Sequence, residues 1–132
     1  MSDTKIETSW VSGDRYAVDV RGHRFFVDQP VEFGGEDSAP TPIELFVASL
    51  TACVAHYGGR FLARHGYGRA GLHVVTEYET TTSPARVNEI RLQIYPPGEM
   101  PHDLRPALLA VVSHCTVHNT IQLGPSVSID IA

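Results

Sequence analysis

The sequence is short of cysteine, of concentrated charge and of uninterrupted apolar runs. Two cysteines among 132 residues are too few for a disulfide framework, which leaves redox chemistry, metal ligation or simple burial as their roles. Ten basic residues stand against fifteen acidic ones, for a net charge of −5. With no basic stripe, nucleic acid is not an expected partner. Thr51, His56 and Arg60 break the longest apolar run, so no membrane-spanning segment is expected. The opening MSDTKIETSW lacks the apolar centre of a secretory signal, and a cytoplasmic location follows as the expectation. No repeat, linker or low-complexity tract interrupts the chain, and residues 1–132 suit a single domain with one core.

What is present centres on APTPIELFVASLTACVAHYGGRFLARHG, residues 39–66. Thr41 is placed to cap a helix, Pro42 suits its first position, and Glu44 completes a capping box. Apolar residues then run almost all the way round, from Ile43, Leu45 and Phe46 to Val54 and Ala55, which predicts a buried helix. No charge falls between Glu44 and Arg60, and Gly66 supplies the stop. A small domain has difficulty covering such a helix alone, so a homodimer is expected.

Around this helix the pattern alternates. Residues 5–10, 16–20 and 24–28 read as strands of a meander, joined by turns at Gly13-Asp14 and 21–23. The loop 29–40 carries Gly34-Gly35, which permits positive φ and close backbone approach. Beyond Gly66, residues 72–82 and 87–95 read as strands, the second with Ile90, Leu92 and Ile94 on its apolar face. A second helix is expected from His102 or Asp103 to about Cys115, then a polar turn-rich piece at 118–122, then a last strand at 127–131. Gly58-Gly59 marks close packing or a bend. The order implies an α+β fold, with a long buried helix against a curved antiparallel sheet.

Cys53, near the middle of the long helix, is the leading chemical candidate, against the alternative of a small hydrophobe packed in a core. Cys115 could pair with it only if the two Cα atoms lie within about 7 Å. His56 shares a helix face with Cys53, and His114 and His118 flank Cys115. An imidazolium beside a thiol favours the reactive thiolate. The twin pattern Cys53-x-x-His56 and Cys115-x-x-His118 also offers a zinc ligand set, although Cys53 is mid-helix and structural zinc prefers loops and helix ends. Glu44 precedes Cys53 by nine residues, about two and a half turns, and so points elsewhere. Neither glycine pair matches a phosphate-binding loop, and no hydrolase elbow is present.

Taken in order, Trp10-x-x-Gly13, Gly34-Gly35, Pro42-x-Glu44-Leu45 with Ala48 and Cys53, and Cys115-x-Val117 resemble the OsmC/Ohr family over nearly the whole chain. The resemblance implies an intertwined homodimer of α+β fold with its long helices at the centre. It further implies a peroxidase that reduces organic hydroperoxides, with Cys53 the peroxidatic and Cys115 the resolving thiol. It implies no tightly bound cofactor or metal, and a dithiol reductant, such as a lipoylated protein, to recycle the enzyme. Peroxidase members use an early-loop arginine, which Arg15 matches, and a glutamate directly after the helix-starting proline, where this chain has Ile43. Thr116-Val117-His118 replaces the usual Pro-x-Ser. With that glutamate missing, Arg15 and His56 are the groups expected to activate Cys53. A thiol-dependent organic hydroperoxide reductase is the expected function. The competing expectations are a non-enzymatic protein of the same fold that binds a small apolar ligand, and the zinc protein.

Overall fold

The computed structural model describes residues 4–132. The chain divides into two compact units, Met1–Phe46 and Val47–Ala132.

The first unit is a three-stranded antiparallel meander of β1 (Ile6–Ser12), β2 (Arg15–Val20) and β3 (His23–Val27) in the order β1-β2-β3. Trp10 explains its own place in the sequence motif: its indole N–H donates to the Gly13 carbonyl at 2.8 Å and clamps the first turn. Arg21 and Gly22 both take positive φ, 49° and 82°, the geometry that a tight two-residue hairpin needs to match strand twist. The loop after β3 makes one 3-10 turn, Val31–Phe33. It is closed at its base by the Asp28 N–H donating to the Pro40 carbonyl at 3.1 Å.

Helix α1 (Pro42–Arg64) is entered from this unit. The expected capping box is present, with the Thr41 N–H donating to Glu44 Oε1 at 2.8 Å and the Glu44 N–H to Thr41 Oγ1 at 3.1 Å. At the other end Gly66 adopts φ +80°. The Tyr67 N–H then reaches the Leu62 carbonyl and the Gly66 N–H that of Ala63, a Schellman close. The helix is 23 residues long and apolar enough to cross a bilayer by length and composition. The core helix of a folded domain meets the same two criteria, and α1 carries Leu50, Val54, Phe61 and Leu62 into such a core.

The second unit builds its core on the later turns of α1. Strands β4 (His73–Thr81) and β5 (Arg86–Tyr95) form an antiparallel pair in which Val74 faces Ile94, Thr76 faces Leu92 and Tyr78 faces Ile90. These inward positions are the ones that the alternation predicted. Helix α2 (Arg105–Val112) contributes Leu108 and Val112 to a core with Leu50, Val54, Phe61, Leu62, Met100 and Cys115.

Three expectations are corrected. The second helix is interrupted: after a 3-10 turn at His102–Leu104, α2 ends at Val112 and a separate α3 (Thr116–Gln122) follows. The piece expected as turn-rich is therefore helical, with Cys115 capping its N-terminus; the Thr120 hydroxyl meets the Thr116 carbonyl one turn back at 2.8 Å. Residues 127–131 form no strand, and Val127, Ile129 and Ile131 are exposed. An alternating pattern becomes a strand only where another strand completes its ladder. As expected of a helix that a small domain has difficulty covering alone, α1 buries one stripe, including Val47, Leu50, Val54, Phe61 and Leu62, while Phe46 stays 43% exposed. An all-round apolar helix thus has one covered face in this chain.

Candidate functional site

Cys53 and Cys115, 62 positions apart, are brought together in the second unit. Cys53 is half-buried on α1 and packs against the core cluster to which the fully buried Cys115 belongs. Cys115 is held at the N-cap of α3, its Sγ accepting the His118 N–H at 3.4 Å. Burial pushes its thiol above the ordinary cysteine range, and the neighbouring Cys53 sulfur pushes it further. The backbone N–H groups of His118 and Val117 pull the other way without prevailing, because a desolvated thiolate loses more than two peptide donors return. Cys115 is thus kept as a protonated thiol beside a more accessible sulfur.

Tyr57, one turn past Cys53, bonds through its hydroxyl to the Thr116 hydroxyl at 3.0 Å and so ties α1 to the start of α3. His56 is exposed and meets the edge of Tyr57 with ring centroids 5.8 Å apart. It makes no hydrogen bond to Cys53; it lines a cavity with Tyr57, Arg60, Arg64, Val111 and His114. His118 buries its Nδ1 without a partner. Among the described residues no three His, Cys, Asp or Glu side chains gather to hold a metal ion. The twin Cys-x-x-His pattern therefore does not form the zinc set that its spacing allowed.

Arg15 belongs to the first unit, where it is fixed by partners that sequence reasoning missed. Its guanidinium lies 3.9 Å over the Phe26 ring and donates to Ser38 Oγ at 2.8 Å. Ser38 Oγ in turn donates to Asp28 Oδ2 at 2.6 Å. Asp28 is 2% exposed and also accepts the backbone N–H groups of Gln29 at 2.7 Å and Ser38 at 3.0 Å. The Ser38 hydroxyl and those two N–H groups hold its carboxyl down to about 2. Gly34 takes φ +100° here, and Gly35 approaches so closely that a Cβ would lie 2.8 Å from Asp28 Oδ1. The glycine pair was legible; the carboxylate it surrounds was not, since an aspartate after a strand reads as an ordinary loop residue.

A family model of OsmC-like proteins matches residues 35–130, most of the chain. The chain belongs to the OsmC-like protein family. Solved structures share the fold of this OsmC-like chain. A Psychrobacter arcticus protein named for osmotic stress induction and a detoxification response superposes with TM-score 0.82 at 19% identity, over 91% of this chain and 89% of the other. An organic hydroperoxide resistance protein OsmC from Legionella pneumophila gives 0.70 at 20% identity, over 92% and 90%. An OsmC-like protein of unknown function from Vibrio cholerae gives 0.70 at 14%, over 91% and 94%. At these identities the likeness is one of fold. No curated protein matches the chain in sequence.

Proposed function

We propose that this OsmC-like chain is a thiol peroxidase that reduces small organic hydroperoxides, with Cys53 attacking and Cys115 resolving. The observation that carries the reading is the pairing of a half-buried thiol with a buried, protonated one. The name of the Legionella relative supports the same substrate class. In the proposed cycle the Cys53 sulfur attacks the distal peroxide oxygen, the O–O bond breaks, and the alcohol leaves with a proton. Cys53 is then a sulfenic acid, two electrons more oxidised. The Cys115 sulfur attacks it, water departs, and a disulfide forms. An external dithiol, such as a lipoylated protein, reopens the disulfide by exchange and is itself oxidised. A mostly apolar surround, with Val54, Leu108 and Val112 in the same core, suits organic rather than hydrogen peroxide.

The reading includes a cytoplasmic homodimer. Its support is the exposed apolar surface of the tail residues Leu123, Val127, Ile129 and Ile131, the last fully exposed. Apolar surface on this scale is normally covered by a partner. The test is treatment of the reduced protein with tert-butyl hydroperoxide, followed by peptide mapping. A Cys53–Cys115 disulfide that dihydrolipoamide reopens is expected, with turnover abolished in Cys53→Ser. Cys115→Ser is expected to stop at a sulfenic acid trapped by dimedone. Iodoacetamide should label Cys53 well before Cys115. No disulfide, with both thiols inert to the peroxide, would replace the enzyme with a ligand-binding protein of the same fold.

A further inference from the structure

The cavity beside His56 has a composition that the thiol chemistry does not use. His56, Arg60 and Arg64 recur every four residues, so α1 presents them along one face. Tyr57 lies beside them, and Val111 of α2 and His114 beyond it close the other wall. The space is about 370 Å3, within the range of small-molecule sites. It is lined by two guanidinium and two imidazole groups and by no carboxylate.

That lining runs against the rest of the molecule, whose net charge is −5. The ion pairs found among the described residues engage Lys5, Arg24 and Arg91; neither Arg60 nor Arg64 has a carboxylate partner. Like charges one helical turn apart repel. A basic residue in the last turn of α1 does complement the helix dipole, and Arg64 accounts for that. The dipole accounts for neither Arg60 nor the arrival of His114 from another element.

We propose that this cavity binds a small phosphate monoester. Guanidinium forks match the oxygens of a phosphoryl group and favour them over a single carboxylate. The Tyr57 ring, held in place by its hydroxyl bond to Thr116, and Val111 offer an apolar wall for the organic part of the ester. The assignment is independent of the peroxidase reading, because it uses neither thiol.

Isothermal titration at constant ionic strength tests it, with phenyl phosphate as the ester probe and inorganic phosphate as the bare anion. Saturable binding of phenyl phosphate is expected, at least about tenfold tighter than inorganic phosphate. The Arg60→Gln/Arg64→Gln double variant should weaken it by about tenfold or more. Both side chains are exposed, so the variant should fold, and circular dichroism checks that. Arg105→Gln removes a charge elsewhere and should leave the affinity unchanged. Absence of saturable binding, equal affinity for the two probes, or unchanged affinity in the double variant would each overturn the assignment.

Discussion

The two units hold their polar chemistry in opposite ways. In the first, Asp28 is buried but surrounded by donors: a hydroxyl, two backbone N–H groups and, through Ser38, the Arg15 guanidinium. In the second, Cys115 is buried in the apolar core, with the backbone N–H groups of His118, at 3.4 Å, and Val117 as its donors. The outcomes diverge accordingly, with the Asp28 carboxyl held down to about 2 and the Cys115 thiol pushed up. Burial alone therefore does not decide ionisation here; the number of donors aimed at the group does. It follows that the first region depends on the position of individual atoms, while the second depends mainly on filled volume.

Three measurements sharpen or break that contrast. The largest effect is expected from Gly35→Ala, whose Cβ would overlap the Gln29 carbonyl and crowd Asp28 Oδ1. Displacing that backbone should cost roughly 2 to 3 kcal/mol of unfolding free energy, read from urea denaturation. A neutral result would show that the loop is soft and the contrast wrong.

Next is the acid response. The Asp28 pKa is lowered in the folded state, to about 2, from about 3.9 in an unfolded chain. Its contribution to stability is therefore complete above about pH 5 and is lost as pH falls through 4 towards 2. Asp28→Asn should be less stable than the parent at pH 7, with the gap closing over that window. Parallel curves across pH 5 to 2 would remove Asp28 as the titrating group.

The smallest effect should carry the opposite sign. Gly58 lies inside α1, and a Cβ there would meet Leu72, Leu108 and Val112 at an ordinary 3.8 Å. Gly58→Ala should stabilise the protein by about 0.5 to 1 kcal/mol, by lowering the entropy of the unfolded chain. A loss instead would mean that the thiol core is as exacting as the Asp28 network.

Local chemistry was readable in advance wherever near neighbours suffice. Thr41, Pro42 and Glu44 specify the start of α1 because a capping box closes over four residues, and Gly66 specifies its end. The hairpin turns and the apolar faces of β4 and β5 follow from spacing alone. The tail at 127–131 reads as a strand but depends on a pairing strand beside it; the helix at Thr116–Gln122 is the local exception, since its cap is the Cys115 sulfur in place of an ordinary capping oxygen.

The sequence by itself determined the helix, the meander, the family and both thiols as candidates, since each rests on short-range pattern or on the identity of rare residues. Tertiary structure alone decided the rest. It set Cys115 beside Cys53, gathered Asp28, Ser38 and Arg15 across 23 positions, and brought His114 to the cavity lined by His56, Arg60 and Arg64. Those are consequences of chain reversal and desolvation, which bring distant residues within reach and change their chemistry. No local spacing encodes which donors a buried group will meet.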